Sequence, residues 1–569
     1  MIFSGILSRH RLLILGLIFL LAISLRFYQI NSFDLASDNS LYSVRALTWS
    51  DFLGDNQTTP IQWFGELPIW SYLSFHDAPP LVFAVQYFFF SLLGDSSFAA
   101  RLPFVLAGLV LILVSFYYVR RLRGEGSAFL VAILMSISSY AVWASLSGYL
   151  EAIQYLFIAT AFFCLVSWFE TKGHPSKWFY LWVSSLALAI LSKYTALLLL
   201  PAGALSLWWQ WPQIKHQLSV NLIIKSGIIF SLILSPIIIY NVGIFLSQGH
   251  FDIALSSILG ISSSDFGQVA ERSASFNWQD NLFALVSTLT DFNSPGLVVL
   301  FILSFIFFAY RLFKKQISPY EQVLFINLIV FLVGLSLVGG GDRFMISVIP
   351  LALLFIVEAL TNFYELIKHH LQWQKVFFAI ITIILAGELL FSFNTNVSLV
   401  TYSSFYRSPS SFTDLGFNRL EKWLRQEAFT DLPAPQPLRA KSDFSFDYKQ
   451  VKDRPLVIFD DSINWFPAWW HLGKYLVYYR LPVLPLTKFI SRENISTKTF
   501  RQAGTGEVYF IYPVQPELLD PLKIGPNSPH QAAEKIVKLA GGKPVEVIYD
   551  GLGQEAFNIY LLSFDIGAR

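Results

Sequence analysis

Two acidic residues, Asp38 and Glu151, stand just past the ends of apolar runs. Asp38 closes Ser32-Phe33-Asp34-Leu35-Ala36-Ser37-Asp38, and Glu151 closes Ser147-Gly148-Tyr149-Leu150-Glu151. If both runs cross a bilayer, the two carboxylates face one aqueous side, where a carboxylate can take a proton from a hydroxyl. Each also has a plainer use: Asp38 as a helix N-cap in Ser37-Asp38-Asn39, Glu151 as a solvated acid. Two cations have the opposite character. Lys193, in Leu191-Ser192-Lys193-Tyr194, and Arg343, in Asp342-Arg343-Phe344, border apolar stretches, where a charge is costly without a partner. An external anion, a protein acid such as Asp342, or snorkelling to the interface would each serve. His76 and Asp77 sit where a loop turns into Pro79-Pro80-Leu81, so capping or turn chemistry competes with ligand contact there.

The elements that must hold these residues are membrane spans. Of the 569 residues, 54% are hydrophobic, 17% aromatic and only 14% charged, with a mean hydropathy of +0.53. Soluble domains carry roughly 25% charged residues, so the composition excludes a soluble globular protein and points to a polytopic α-helical membrane protein. The formal net charge of +2 says little about partners, and no nucleic-acid partner is expected. With one cysteine, Cys164, no intrachain disulfide can form. The first apolar run follows Arg9-His10-Arg11 and lacks a small-x-small cleavage site, so it reads as a retained signal anchor.

Runs near the ~20 residues that a spanning helix needs lie at 11–30, 101–119, 126–145, 152–169, 219–246, 295–311, 320–338, 344–364 and 375–393. The run 178–211 is too long for one span and is interrupted at Ser192-Lys193-Tyr194, which predicts two short spans and roughly eleven crossings in all. Cations set the orientation. Arg9/Arg11, Arg120/Arg121/Arg123, Lys172/Lys177, Lys215, Arg311/Lys314/Lys315 and Lys368/Lys375 fall on one side when spans alternate from a cytoplasmic N-terminus. The opposite loops are acidic, with Asp34, Asp38, Asp51, Asp55, Glu66, Asp77 and Asp95 in one, and Asp252, Asp265, Glu271, Asp280 and Asp291 in the large loop 247–294. Residues 79–94 are short for a crossing and would invert this parity, so an interfacial or re-entrant helix is expected there.

Composition changes near residue 394. A transmembrane domain of 1–393, with an extracytoplasmic loop 31–100, precedes an extracytoplasmic α/β domain of 394–569. In that domain strands are expected at Leu456–Phe459, Tyr475–Tyr479, Val508–Tyr512, Val545–Tyr549 and Phe557–Leu562, and helices at about 412–428 and 530–541. Glu358 and Glu388 fall inside apolar runs near their ends and read as solvated. The aromatic run Trp465-Phe466-Pro467-Ala468-Trp469-Trp470 suits a carbohydrate platform, a membrane-resting face or a small core.

Several short elements, in order and spacing, resemble the dolichyl-phosphate-mannose protein mannosyltransferase superfamily of C-type glycosyltransferases, which includes the bacterial aminoarabinose transferases. They are Asp38-Asn39-Ser40-Leu41-Tyr42-Ser43-Val44-Arg45-Ala46, His76-Asp77-Ala78-Pro79-Pro80-Leu81, Leu93-Gly94-Asp95 through Arg101-Leu102-Pro103, Ala187-Leu188-Ala189-Ile190-Leu191-Ser192-Lys193-Tyr194 and Asp342-Arg343-Phe344-Met345-Ile346-Ser347-Val348-Ile349-Pro350. The resemblance covers roughly residues 10–390. It departs at Asn39, where the family has Glu; an amide carries no charge and accepts no proton.

The resemblance implies a C-type glycosyltransferase fold and transfer of a sugar from a polyprenyl-phosphate donor to a lipid, glycan or protein acceptor at the extracytoplasmic face of a cell inner or plasma membrane. By it, Asp38 is the base, Glu151 orients the acceptor or shares the proton work, and His76, Asp77 and Arg101 lie by the donor headgroup. Lys193 and Arg343 stabilise the departing phosphate, Arg343 with bidentate geometry. No cofactor is expected; a divalent metal held by Asp38, His76, Asp77 and Glu151 is the minor alternative. Two rival readings are a transporter or flippase of lipid-linked sugars, which predicts repeated halves and polar residues at mid-membrane, and an inactive membrane assembly protein, for which Asn39 would be the sign.

Overall fold

The computed structural model describes residues 10–52, 58–171, 173, 175–261, 278–338, 341–397, 414–440, 454–490, 507–526 and 528–562. Arg9, Asp55, Lys172, Asp265 and Glu271, counted above among the loop charges, lie outside the described residues. Every apolar run expected to cross the bilayer is helical. Hydrocarbon offers no water to backbone N–H and C=O groups, and a helix satisfies them within one segment.

Seven described helices are long and apolar enough to span: Ser97–Arg123, Glu151–Glu170, Val220–Gln248, Pro295–Phe313, Pro319–Leu337, Asp342–Ile367 and Leu371–Asn396. The pair Glu125–Ile137 and Ser139–Ser147, bent by 56°, adds an eighth when counted as one broken span. Arg11–Phe27 and Ser176–Ser192 have 17 residues each, and Tyr194–Trp209 is shorter. By length and composition the described residues therefore hold seven or eight spans, against the roughly eleven expected. The chain is a multi-pass membrane protein. Helix Leu81–Leu93 has 13 residues, roughly 20 Å at 1.5 Å per residue, short of the ~30 Å hydrocarbon core.

Contacts divide the chain into two compact units. The first holds the described residues of 1–29, 69–85 and 101–409, and the second those of 30–68, 86–100 and 410–569. Composition changes once along the chain, near 394, whereas contacts group 30–68 and 86–100 with the C-terminal residues.

In the first unit the bend at Ser138 is closed by charge. A broken helix exposes carbonyls at one end and N–H groups at the other. Buried Arg26 donates to Met135 O at 2.9 Å and Ser136 O at 3.0 Å. Glu388, also buried, accepts from Ser139 N at 2.7 Å and from Ser294 N, at the start of Pro295–Phe313, at 2.9 Å. The solvated reading of Glu388 is thus corrected: its carboxylate caps two helices. Glu358 is likewise buried and pairs with Arg123 at 3.1 Å. Gly148, at φ 72°, ends Ser139–Ser147 in the left-handed region and turns the chain toward Glu151.

The second unit contains a five-stranded sheet of order β2-β1-β3-β5-β4, with β1 Leu456–Phe459, β2 Val483–Pro485, β3 Val508–Pro513, β4 Glu546–Tyr549 and β5 Glu555–Leu561. β1 runs parallel to β2 and β3, while β5 is antiparallel to β3 and β4. Leu456, Ile458, Leu484, Val508, Phe510 and Tyr560 form its core with Ala533 of helix Pro529–Leu539. Tyr475–Tyr479, expected as a strand, is not one: Lys474–Val477 is helical. Tyr475, Tyr478 and Tyr479 recur at i, i+3 and i+4, a helical spacing, and all three are buried. Trp470 is fully buried with Lys474 Nζ 3.9 Å from its ring, whereas Trp465 is exposed, so the core reading of that aromatic run holds for Trp470 alone among its tryptophans and not for Trp465.

Candidate active site

In the first unit Glu151 opens helix Glu151–Glu170 and is fully buried. Its Oε1 is ion-paired to Lys193 Nζ, so Lys193 has a protein acid as partner, though Glu151 rather than Asp342. Glu151 Oε2 is buried and makes no hydrogen bond among the described residues. Leaving a buried acceptor unmet costs about 1–3 kcal/mol, and this oxygen has capacity for a further hydrogen bond.

Lys193 is placed by a break. Helix Ser176–Ser192 stops, Lys193 is extended at φ −164° and ψ 143°, and a 3₁₀ turn Tyr194–Leu198 follows. Gln154, one turn beyond Glu151, holds the break open: its amide donates to Lys193 O at 2.6 Å, while its Oε1 accepts from Thr195 Oγ1 at 3.0 Å and Ser347 Oγ at 2.8 Å. Gln154 was missed in the sequence, although i, i+3 spacing from Glu151 puts both on one helix face.

Ser347 connects this cluster to the segment of Arg343. Lys193 Nζ lies 4.8 Å and Arg343 Cζ 4.9 Å from the centre of the Phe344 ring. Two cations share one aromatic face or edge, each such contact worth roughly 0.5–2 kcal/mol. Tyr140 donates from its hydroxyl to Asp342 O, fixing the backbone before Arg343. Tyr140 also lines an apolar cavity of about 40 Å³ with Leu289, Leu297, Phe301, Met345 and Ile349.

His76 and Asp77 belong to a second cluster in the same unit. His76 O accepts from Ile253 N at 2.8 Å. Beside it, buried Asp252 accepts from Tyr194 Oη at 2.5 Å, Asn241 Nδ2 at 2.8 Å and Leu255 N at 2.7 Å. Burial raises the Asp252 carboxyl above its ordinary value; its hydrogen bonds oppose this and the charge of Asp77 adds to it. Because Tyr194 follows Lys193 directly, this cluster and the Glu151 cluster meet at one break in the chain. Arg101 is elsewhere: fully buried, it donates from Nε to Leu146 O at 3.1 Å, near the end of Ser139–Ser147.

Asp38 lies in the second unit. It is the first residue of helix Asp38–Thr48, and the N-cap is Ser37 rather than Asp38. An acid in the first turn suits the helix dipole by about 0.3–1 kcal/mol. Asp38 is half-buried. Asn39, the residue that departs from the family pattern, accepts from Ser37 N through Oδ1 at 3.0 Å and is buried. Among the described residues no three His, Cys, Asp or Glu side chains are grouped to hold a metal ion.

The family model for dolichyl-phosphate-mannose-protein mannosyltransferase matches residues 77–240, a stretch that includes Asp77, Arg101, Glu151 and Lys193. The chain resembles this superfamily. Its fold is similar to that of ArnT from Cupriavidus metallidurans bound to undecaprenyl phosphate, with a TM-score of 0.53 at 13% identity over 97% of this chain and 99% of that one. The oligosaccharyltransferase of Archaeoglobus fulgidus in the apo form gives 0.51 at 13% identity, over 88% of this chain and 69% of that one. The same organism's oligosaccharyltransferase AglB, in complex with an inhibitory peptide and a dolichol-phosphate, gives 0.50 at 13% identity, over 94% and 78%. Among curated proteins none matches the chain. The resemblance read from the motifs thus rests on a family-model match and on a shared C-type fold.

Proposed function

We propose that this protein is a membrane glycosyltransferase that moves a sugar from a polyprenyl-phosphate donor to a lipid, glycan or protein acceptor at the extracytoplasmic face of a cell inner or plasma membrane. The observation that carries the reading is the ion pair of buried Glu151 with half-buried Lys193, beside Phe344 and Arg343; both members of the pair lie in the stretch that matches the mannosyltransferase model. Lys193 and Arg343 supply two positive charges at a site bordered by apolar helices, where an anion is stabilised far more than in water. The apolar groove lined by Tyr140 and Met345 is proposed to receive part of the prenyl tail.

In the proposed reaction the acceptor hydroxyl attacks the anomeric carbon and gives its proton to Asp38. The bond from that carbon to the phosphate oxygen breaks, and polyprenyl phosphate leaves with the bonding pair. Lys193 and Arg343 neutralise the charge that develops on it. The free oxygen of Glu151 accepts from a sugar or acceptor hydroxyl, and its partner oxygen keeps Lys193 aimed. His76, Asp77 and Arg101 are proposed to frame the donor headgroup. No metal is required by these roles. The N-terminus is cytoplasmic and the C-terminal residues extracytoplasmic in this reading.

Mass spectrometry of surface glycans and polyprenyl-linked sugars, with and without the protein, tests it. Asp38→Asn and Lys193→Ala are each expected to cut transfer by about 10²–10³-fold, the usual loss when a positioned charge is removed from a transition state, with the lipid-linked sugar accumulating. Wild-type glycans from both variants would sink the reading. A change in the sidedness of lipid-linked sugar without a new glycosidic bond would point to a flippase.

A further inference from the structure

Residues 30–50 make their long-range contacts in the second unit with residues far along the chain. Asp34, four residues ahead of Asp38, is buried at 1% exposure. Its carboxylate accepts three backbone N–H groups from one short stretch: Leu415 at 2.6 Å and Phe417 at 3.2 Å on Oδ2, and Asn418 at 2.8 Å on Oδ1. Asn418 returns the contact, donating from its side chain to Phe33 O at 3.0 Å. The stretch itself has little freedom. Gly416 sits at φ 91°, and a Cβ there would meet Ala556 Cβ at 3.0 Å and Tyr549 O at 3.1 Å.

From this anchor the chain runs Leu35-Ala36-Ser37-Asp38, with Leu35 fully buried. The Ser40 hydroxyl lies 2.7 Å from both Ser37 O and Phe466 O, so it closes the turn on either side of Asp38 or ties it to residue 466. Further on, Tyr478 Oη donates to Val44 O at 2.7 Å and Leu438 N donates to Ser50 Oγ at 3.0 Å. Four widely separated C-terminal positions thus hold the helix that begins at Asp38. None of these residues falls in the stretch 77–240 that matches the family model.

We infer that Asp34 is a positioning residue for the base: through the amides of Leu415, Phe417 and Asn418 it sets the turn carrying Asp38 on a frame built by the C-terminal residues. The inference rests on Asp38 being the base. A carboxylate facing three N–H groups cannot be replaced by an amide without turning an NH₂ toward a donor. The anchor then loosens by a shift of order 1 Å, and misplacing a reacting group by that distance costs about 10²-fold in rate.

The test compares full-length variants in a transfer assay with the donor varied. Asp38→Asn comes first: if it leaves transfer intact, the base assignment fails, and the role of Asp34 fails with it. With Asp38 required, Asp34→Asn should lower kcat by roughly 10²-fold while KM for the lipid donor stays within about two-fold. Ser40→Ala should lower kcat about three- to ten-fold in the same manner. Val508→Ala, in the sheet core, serves as the stability control, lowering Tm comparably while leaving kcat in place. The inference is overturned if Asp34→Asn keeps wild-type kcat, or if Val508→Ala and Asp34→Asn lose kcat in proportion to Tm.

Discussion

Two buried glutamates, Glu421 in the second compact unit and Glu151 in the first, are satisfied differently. In the second unit Glu421 is surrounded by donors: Lys474 Nζ at 2.7 Å, Arg425 Nη2 at 2.9 Å and Tyr475 Oη at 3.3 Å on Oε1, and His471 Nδ1 at 2.9 Å on Oε2. Asp95 completes the set, accepting from Arg425 at 2.6 Å and lying 3.2 Å from Lys474. In the first unit Glu151 has a single cation on one oxygen and nothing among the described residues on the other. A carboxylate with donors on both oxygens resists any further ligand and holds elements together. An under-satisfied one leaves capacity for a substrate at some cost to the fold. The contrast distinguishes Glu151 from Glu421 without reference to position in the sequence.

The contrast is broken most forcefully at Glu421. Burial alone would raise its carboxyl, but Lys474, His471 and Arg425 hold it well below the ordinary range. Glu421→Ala would leave Lys474, which has no solvent exposure, with Asp95 as its one remaining carboxylate among the described residues and His471 Nδ1 without its acceptor, so a loss of about 3 kcal/mol is expected, read by denaturant unfolding in detergent, with little separate effect on the Glu151 cluster. A stability change below 1 kcal/mol would show that saturation here is ornamental.

Acid offers a second test with the sign fixed by the same group. A depressed carboxyl stabilises the fold above its unfolded value, near 4.5, and that contribution is lost as pH falls below it. Hydrogen exchange in β1, β3 and β5 should therefore accelerate below about pH 4.5 in the wild type, and Glu421→Gln should flatten that dependence. An unchanged pH dependence in the variant would assign the acid limb to other groups.

The smallest expected effect concerns Asn39. Its side chain closes the turn ahead of Asp38 by accepting from Ser37 N. Asn39→Ala should cost about 1 kcal/mol of stability by leaving that N–H unmet, visible as a small shift in thermal unfolding. A neutral result would mean that the residue standing at the family's Glu position has no structural use there.

Much of the scaffold is legible in the sequence. Long apolar runs announce spans because a bilayer accepts little else, and the interruption at Lys193 shows in the sequence because it breaks an otherwise continuous apolar stretch. β1, β3, β4 and β5 were readable from short β-branched and aromatic runs. The strand expected at Tyr475–Tyr479 rests on its β-branched and aromatic composition, whereas the i, i+3, i+4 spacing of its three tyrosines is helical, and that spacing prevails. β2 was too short to announce itself, and its place was settled by pairing with β1.

The charged residues divide in the same way. Their types, and the improbability of Lys193 and Arg343 beside apolar segments, are local facts, so the sequence by itself nominated them, together with the membrane setting and the family resemblance. Which acid meets Lys193, which oxygen of Glu151 stays open, why Glu388 caps two helices and what anchors Asp34 were decided only by the tertiary structure. Those outcomes depend on partners tens to hundreds of residues away, and a buried charge takes its meaning from the donors and acceptors that folding brings within about 3 Å.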